Sequence, residues 1–173
     1  REWERGTMEQ LITTPIKTPE LIIGKLIPYF MIGFIDMILS VVMGVYLFHV
    51  PLKGSLVLLV TLSSIFLFGG VCQGIVISIV AKNSQALASQ MALLSTFLPA
   101  FLLSGFVFSI ANMPRVLQFV TYIVPARYFV TILKGIFMKG SGLHLLLWDA
   151  VLLSVYAAVV FIVANKRFQK RID

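Results

Sequence analysis

The chain has 173 residues, 59% of them hydrophobic and only 12% charged, with a formal net charge of +7. Soluble domains carry roughly 25% charged residues, so this chain has too little polar surface to cover itself in water, and lipid must be the solvent for most of it. The charges gather at the ends of the apolar runs, which ties the basic excess to membrane orientation and anionic lipid headgroups and not to nucleic acid.

The chain opens on Arg1 with no signal-peptide pattern, the expectation for a piece of a longer protein. In residues 1–25, Thr7 and Gln10 have capping-box spacing, Met8, Leu11 and Ile12 form a small apolar face, and Pro15 ends the segment. Such a short amphipathic helix either lies flat on the inner leaflet or docks into a cytoplasmic protein through Met8 and Leu11. Thr18, Pro19 and Glu20 then read as a second helix start. Residues 26–48 are apolar except for Asp36, and reach the ~20 residues needed to span a bilayer. A turn around Pro51 and Gly54 leads to a second span over 55–81, which carries no charge before the polar break at Lys82 to Gln85. A third span is expected over 87–109, with Pro99 near its middle, and a fourth over 144–164.

Residues 110–140 contain no uninterrupted run of spanning length, because Arg115, Pro125, Arg127 and Lys134 divide them. They are expected to form two short helices dipping into the outer interface. Four spans put both ends on one side, with nine of the fourteen basic residues: Arg1, Arg5, Lys17, Lys25, Lys82, Lys166, Arg167, Lys170 and Arg171. By the positive-inside rule that side is the cytoplasm, and a fifth span would weaken the bias. The fold class is therefore all-α: a polytopic transmembrane helix bundle with four spans, a cytoplasmic amphipathic helix and short external helices.

Enzyme chemistry is absent from the sequence. Cys72 stands alone, which excludes a disulfide framework and a cysteine cluster, and His49 and His144 form no metal-ligand pattern, so no metal site is expected. No G-x-S-x-G occurs, and GIFMKGSG at Gly135 to Gly142 places Ser141 where a phosphate loop needs lysine. Any ATP used must be hydrolysed by another chain. Asp36 has two readings. A carboxylate in mid-span costs roughly 2.5–3.5 kcal/mol on insertion scales, so it either marks a substrate or ion route or is held at a helix contact. Asp149, one turn inside the last span, reads as an interfacial residue. Small residues recur at four-residue spacing, as Ser40 and Gly44, Gly70 and Gly74, Ala88 and Ala92, and Ala150, Ser154 and Ala158. They suggest close helix packing within the chain first and a dimer seam second.

The segments REWERGTMEQLITTPIKTPELIIGKLIPY, VPLKGS, FLPAFLLSGFVFSIANMP and VPARYFVTILKGIFMKG, in this order, resemble the membrane subunit of type-2 ATP-binding-cassette exporters, the bacterial drug and polymer export permeases. A proline is common in that family where Ser109 stands here. The resemblance covers essentially the whole chain and implies that it holds the third to sixth of six spans. It further implies that Glu4, Arg5, Gly6, Thr7, Met8, Glu9, Gln10 and Leu11 form the coupling helix that contacts a separate ATPase subunit, and that a second permease half pairs with this one, as a homo- or heterodimer, with the export path between them. Pro125, Arg127, Tyr128 and Gly135 belong to its external helix motif. The chain would bind no cofactor of its own and would sit in a bacterial inner membrane. The rivals are an ion-coupled secondary transporter or channel using Asp36, and a non-transporting anchor of an assembly. Secondary transporters tend to show several intramembrane ionisable groups and broken helices in repeated halves, and neither pattern is present here.

Overall fold

The computed structural model describes residues 18–81 and 85–169, and every regular element within them is helical. A bilayer imposes this outcome, because a segment without water must satisfy its own backbone N–H and C=O groups. Helix α1 (Thr18–Val42) starts at the Thr-Pro pair with Glu20 in its first turn, and is prolonged by a π-turn, Met43–Leu47. Helix α2 (Leu56–Val80) is capped by Ser55, whose side chain accepts from the Leu58 N–H. Helix α3 is composite: Gln85–Ala92, a π-turn Leu93–Phe97, then Leu98–Leu103. A 3₁₀ turn, Ile110–Asn112, precedes two short helices, α4 (Arg115–Thr121) and α5 (Pro125–Lys134), the latter continued by a π-turn, Gly135–Lys139. Helix α6 (Leu143–Gln169) follows.

Among the described residues, four helical stretches are long and apolar enough to cross a membrane: Ile22–Leu47, Leu56–Val80, Ala86–Leu103 and Leu143–Lys166. A fifth crossing would need α4 and α5 to act as one span, and they are bent by 87°. The third helix stops at Leu103, short of the expected Ser109. Gly105 takes a left-handed φ of 83°, and the Ser104 hydroxyl accepts from the Phe106 N–H at 3.3 Å, so the backbone turns away.

The core lies where α2, α5 and α6 meet. It consists of Leu59 and Leu62, Ile132 and Ile136, and Leu146, Ala150 and Leu153, with the Phe66 ring stacked on Phe129 at 4.2 Å. The two short helices, expected to be interfacial, differ in how they pack. Helix α4 keeps Val116 and Phe119 exposed, but Phe129, Ile132, Leu133 and Ile136 recur at three- and four-residue spacing and carry α5 and its π-turn into the bundle. Two glycines lock this end. A Cβ on Gly54 would stand 2.9 Å from the Ile136 carbonyl oxygen, and one on Gly140, at φ 63°, would stand 3.0 Å from that of Lys53.

Close helix contacts also fall at glycines other than those the spacing suggested. A Cβ on Gly33 would meet the Leu67 side chain at 2.6 Å, and one on Gly69 would meet the Tyr156 ring at 2.7 Å. By contrast, a Cβ on Gly44, Gly70 or Gly74 would meet nothing within 4 Å. Among the described residues, Gly44, Gly70 and Gly74 therefore admit no close helix contact.

Candidate functional site

Polar groups inside an apolar bundle are the natural candidates, since each must find a partner or face water. The expected coupling residues, Glu4 to Leu11, lie outside the described residues. Asp36 lies on α1 and is exposed; its backbone carbonyl accepts from the Ser40 hydroxyl at 2.8 Å, and its carboxylate makes no hydrogen bond or ion pair among the described residues. It does not point into this chain's own bundle. Asp149 is partly buried on α6, and Cys72 is buried on α2.

The motif expected to be external forms a bend with its own fastenings. Helix α4 ends in a run of tightened turns, in which the N–H groups of Tyr122, Ile123 and Val124 bond to the carbonyls of Phe119, Val120 and Thr121 at 3.1–3.2 Å. Pro125 then occupies the first turn of α5, where its missing N–H costs nothing. The Arg127 guanidinium reaches back, 3.8 Å over the centre of the Tyr122 ring, and donates to the Gln118 carbonyl at 3.4 Å and to the buried Thr121 hydroxyl. Tyr128 donates its hydroxyl to the Tyr122 carbonyl at 2.6 Å. Carbonyls that α4 leaves orphaned at its end are thus taken up by two side chains of α5, and the cation sits at the negative end of the α4 dipole. Gly135 is buried at the start of the π-turn, where a Cβ would stand 3.0 Å from the Leu146 side chain. The structure brings Pro125, Arg127, Tyr128 and Gly135 together as the fastening of a bend and its seat against α6.

Two polar links that sequence reasoning missed connect α3 to the rest. Gln73, in the last third of α2, donates its amide to the Thr96 hydroxyl at 2.9 Å and accepts from the Tyr156 hydroxyl of α6. Three helices are tied at one amide, and Gly69 leaves the room that the Tyr156 ring fills. Thr96 lies in the π-turn of α3, two residues after which Leu98 leads into Pro99. Proline has no N–H to bond the carbonyl four residues back, and a π-turn relieves the clash of its ring with that carbonyl. At the far end of α3, Lys134 donates to the Gly105 carbonyl at 2.7 Å. The available signal was that Gln73 is the one amide in an otherwise apolar or small-hydroxyl run.

What these geometries define is a multi-pass membrane helix bundle with a bent pair, α4 and α5, and no catalytic constellation among the described residues. The comparisons with known proteins make this more specific. The family model described as ABC-2 family transporter protein matches residues 1–166, and the chain belongs to that family. It is 46% identical over 162 residues to the probable multidrug ABC transporter permease YbhS of Escherichia coli (strain K12), a match covering 94% of this chain and 42% of that protein. It is 32% identical over 154 residues to the probable multidrug ABC transporter permease YbhR of the same organism, covering 87% of this chain and 40% of that one. A more distant relative is ABC transporter G family member 20 of Dictyostelium discoideum, 24% identical over 139 residues, 80% of this chain and 19% of that protein. The chain thus spans about two-fifths of the length of the bacterial relatives. No solved structure gives a significant match.

Proposed function

We propose that this chain is part of the permease subunit of an ATP-driven exporter, which forms part of the substrate path while a separate ATP-binding-cassette subunit hydrolyses the ATP. The observation that carries this is the family match across residues 1–166, on a chain whose described helices form a transmembrane bundle. Residues 1–173 hold no phosphate loop, with Ser141 where its lysine would stand, and the bacterial relatives are named as permeases, which supports hydrolysis by a separate subunit. The segment Glu4 to Leu11 is the docking element for that partner, with Met8 and Leu11 entering a groove on the ATPase. A second permease half completes the path, and the cargo is amphipathic or drug-like, in keeping with the relatives named as multidrug permeases.

In this reading the protein lies in a bacterial inner membrane with residues 1–25 and the tail on the cytoplasmic side, and α4 and α5 lie at the outer face. A cysteine at Lys53 in a Cys72→Ser background then labels with an impermeant thiol reagent in intact cells, and one at Gln169 does not; the reverse pattern inverts the orientation. Ion coupling through Asp36 is the weaker reading, since the family match favours an ATP-driven permease and Asp36 has no acidic companion in mid-span. The deciding measurement is export by the full-length permease with its ATPase. ATP depletion abolishes export, and a protonophore at constant ATP does not. Export that follows the proton gradient and ignores ATP overturns the proposal.

A further inference from the structure

Helices α1 and α6 both pack on α2 and touch each other, and between the three runs an open groove of about 610 Å³. Phe30 of α1 and Phe68 of α2 line it, and much of the remaining lining is small: Thr61, Ser64, Ser154 and Ala158. The hydroxyls of Thr61, Ser64 and Ser154 donate to the carbonyls of Val57, Val60 and Ala150, each four residues back, at 2.7–2.8 Å. The groove therefore offers no unsatisfied donor, and a polar ligand would find little to bond.

The composition of α6 argues against bulk lipid as the occupant. Its exposed residues Val151, Val155 and Val159 are branched aliphatics, suited to contact with lipid tails. Ser154 and Ala158 are exposed too, yet are small where a lipid-facing surface gains nothing from smallness. Of the seam Ala150, Ser154 and Ala158, only Ala150 is buried within this chain. Small residues at a membrane surface let another helix backbone approach closely, where dispersion replaces the hydrophobic drive that lipid removes. More than half the length of the bacterial relatives lies outside the span matched by this chain, so a source for such a helix exists.

We propose that the groove between α1, α2 and α6 is the seat of an apolar transmembrane helix supplied by the remaining length of the same permease. This rests on the reading of the chain as part of a longer permease, but not on ATP coupling or on any particular cargo. The occupant presents an apolar face to the Phe30 and Phe68 rings and lays its backbone against Ser154 and Ala158.

The test uses the full-length permease in native membranes, in a Cys72→Ser background, with a benzophenone amino acid at Ser154 or, as an outward control, at Val159. After irradiation, mass spectrometry should find Ser154 joined to an apolar peptide of the same polypeptide from outside the present sequence, and Val159 joined to phospholipid. Ala158→Leu should fill the groove and cut the Ser154 crosslink by about five-fold or more, with membrane abundance unchanged. Ser64→Ala, which removes only a hydroxyl, should leave the yield near its original level. Lipid adducts alone at Ser154, or crosslinks to a second copy of this same sequence, overturn the proposal. Because export is scored separately, a permease that exports on ATP yet gives only lipid adducts sinks the helix seat and leaves the functional reading standing.

Discussion

The block made by α2, α5 and α6 and the helix α3 are held in place by different physics. In the block, Leu59, Ile132, Ile136 and Leu153 are fully buried, two phenylalanine rings stack, and glycines at 54 and 140 admit backbone contact. In α3 no described side chain from 86 to 103 is buried, and Leu94, Phe97, Phe101 and Leu102 face outward. Two directional bonds fasten it, Gln73 to Thr96 near the middle and Lys134 to the Gly105 carbonyl at the end. Interlocked packing is lost as soon as the surfaces slide, whereas a hydrogen bond can be exchanged for another at small cost. Helix α3, with a π-turn and a proline within it, is accordingly cheaper to displace than any helix of the block, and the block is the frame it would move against.

The sharpest way to break this contrast is to cut into both regions and compare. Leu153→Ala should lower stability by about 2–5 kcal/mol, read from denaturant titration in detergent, because it leaves a cavity in the block. Gly140→Val should follow at about 1–3 kcal/mol, since a branched residue at φ 63° is strained and its Cβ meets the Lys53 carbonyl. Gln73→Leu removes two interhelical bonds and should cost about 0.6–1.7 kcal/mol, the range for such bonds within membranes. Its distinguishing sign is local: hydrogen exchange should rise over residues 93–103 while α2 and α6 keep their protection. Uniform loss of protection would mean that the amide holds the whole bundle. Leu94→Ala should stay within about 0.5 kcal/mol. If it proves as damaging as Leu153→Ala, the outward face of α3 is covered in the assembled protein, and the contrast belongs to this chain alone.

The parts legible in the sequence were those set by hydropathy and by special residues. The four apolar runs, the Thr18–Pro19 start of α1 and the turn around Pro51 and Gly54 follow from lipid solvation and backbone chemistry. The end of α3 was not legible, because residues 104–109 carry no charge and the helix stops at the φ of Gly105 and the Ser104 hydroxyl. Nor was the packing of α5, where Arg127 and Lys134 bond to backbone carbonyls while Ile132 and Ile136 enter the core. Four-residue spacing of small residues overstated packing within the chain: it cannot say whether the facing helix is present. The lone amide of Gln73 stands out in its run, but Tyr156 is 83 residues away and no local pattern pairs the two.

The π-turns at 43–47, 93–97 and 135–139 have a bearing on how permeases of this kind can vary in length. A single-turn π-bulge accommodates one residue beyond the α-helical count. Deleting one residue from 93–97 would restore ordinary spacing, draw the rest of α3 back by about 1.5 Å and rotate it by about 100°. Phe101 and Leu102 would then swing to a new azimuth, and the Pro99 ring would press on the carbonyl that the bulge now spares. Single-residue insertions and deletions inside a membrane span are ordinarily ruinous, because every later side chain changes face. At 93–97, in the interior of α3, the helix already carries the slack, so aligned relatives should differ by one residue there sooner than elsewhere within that span.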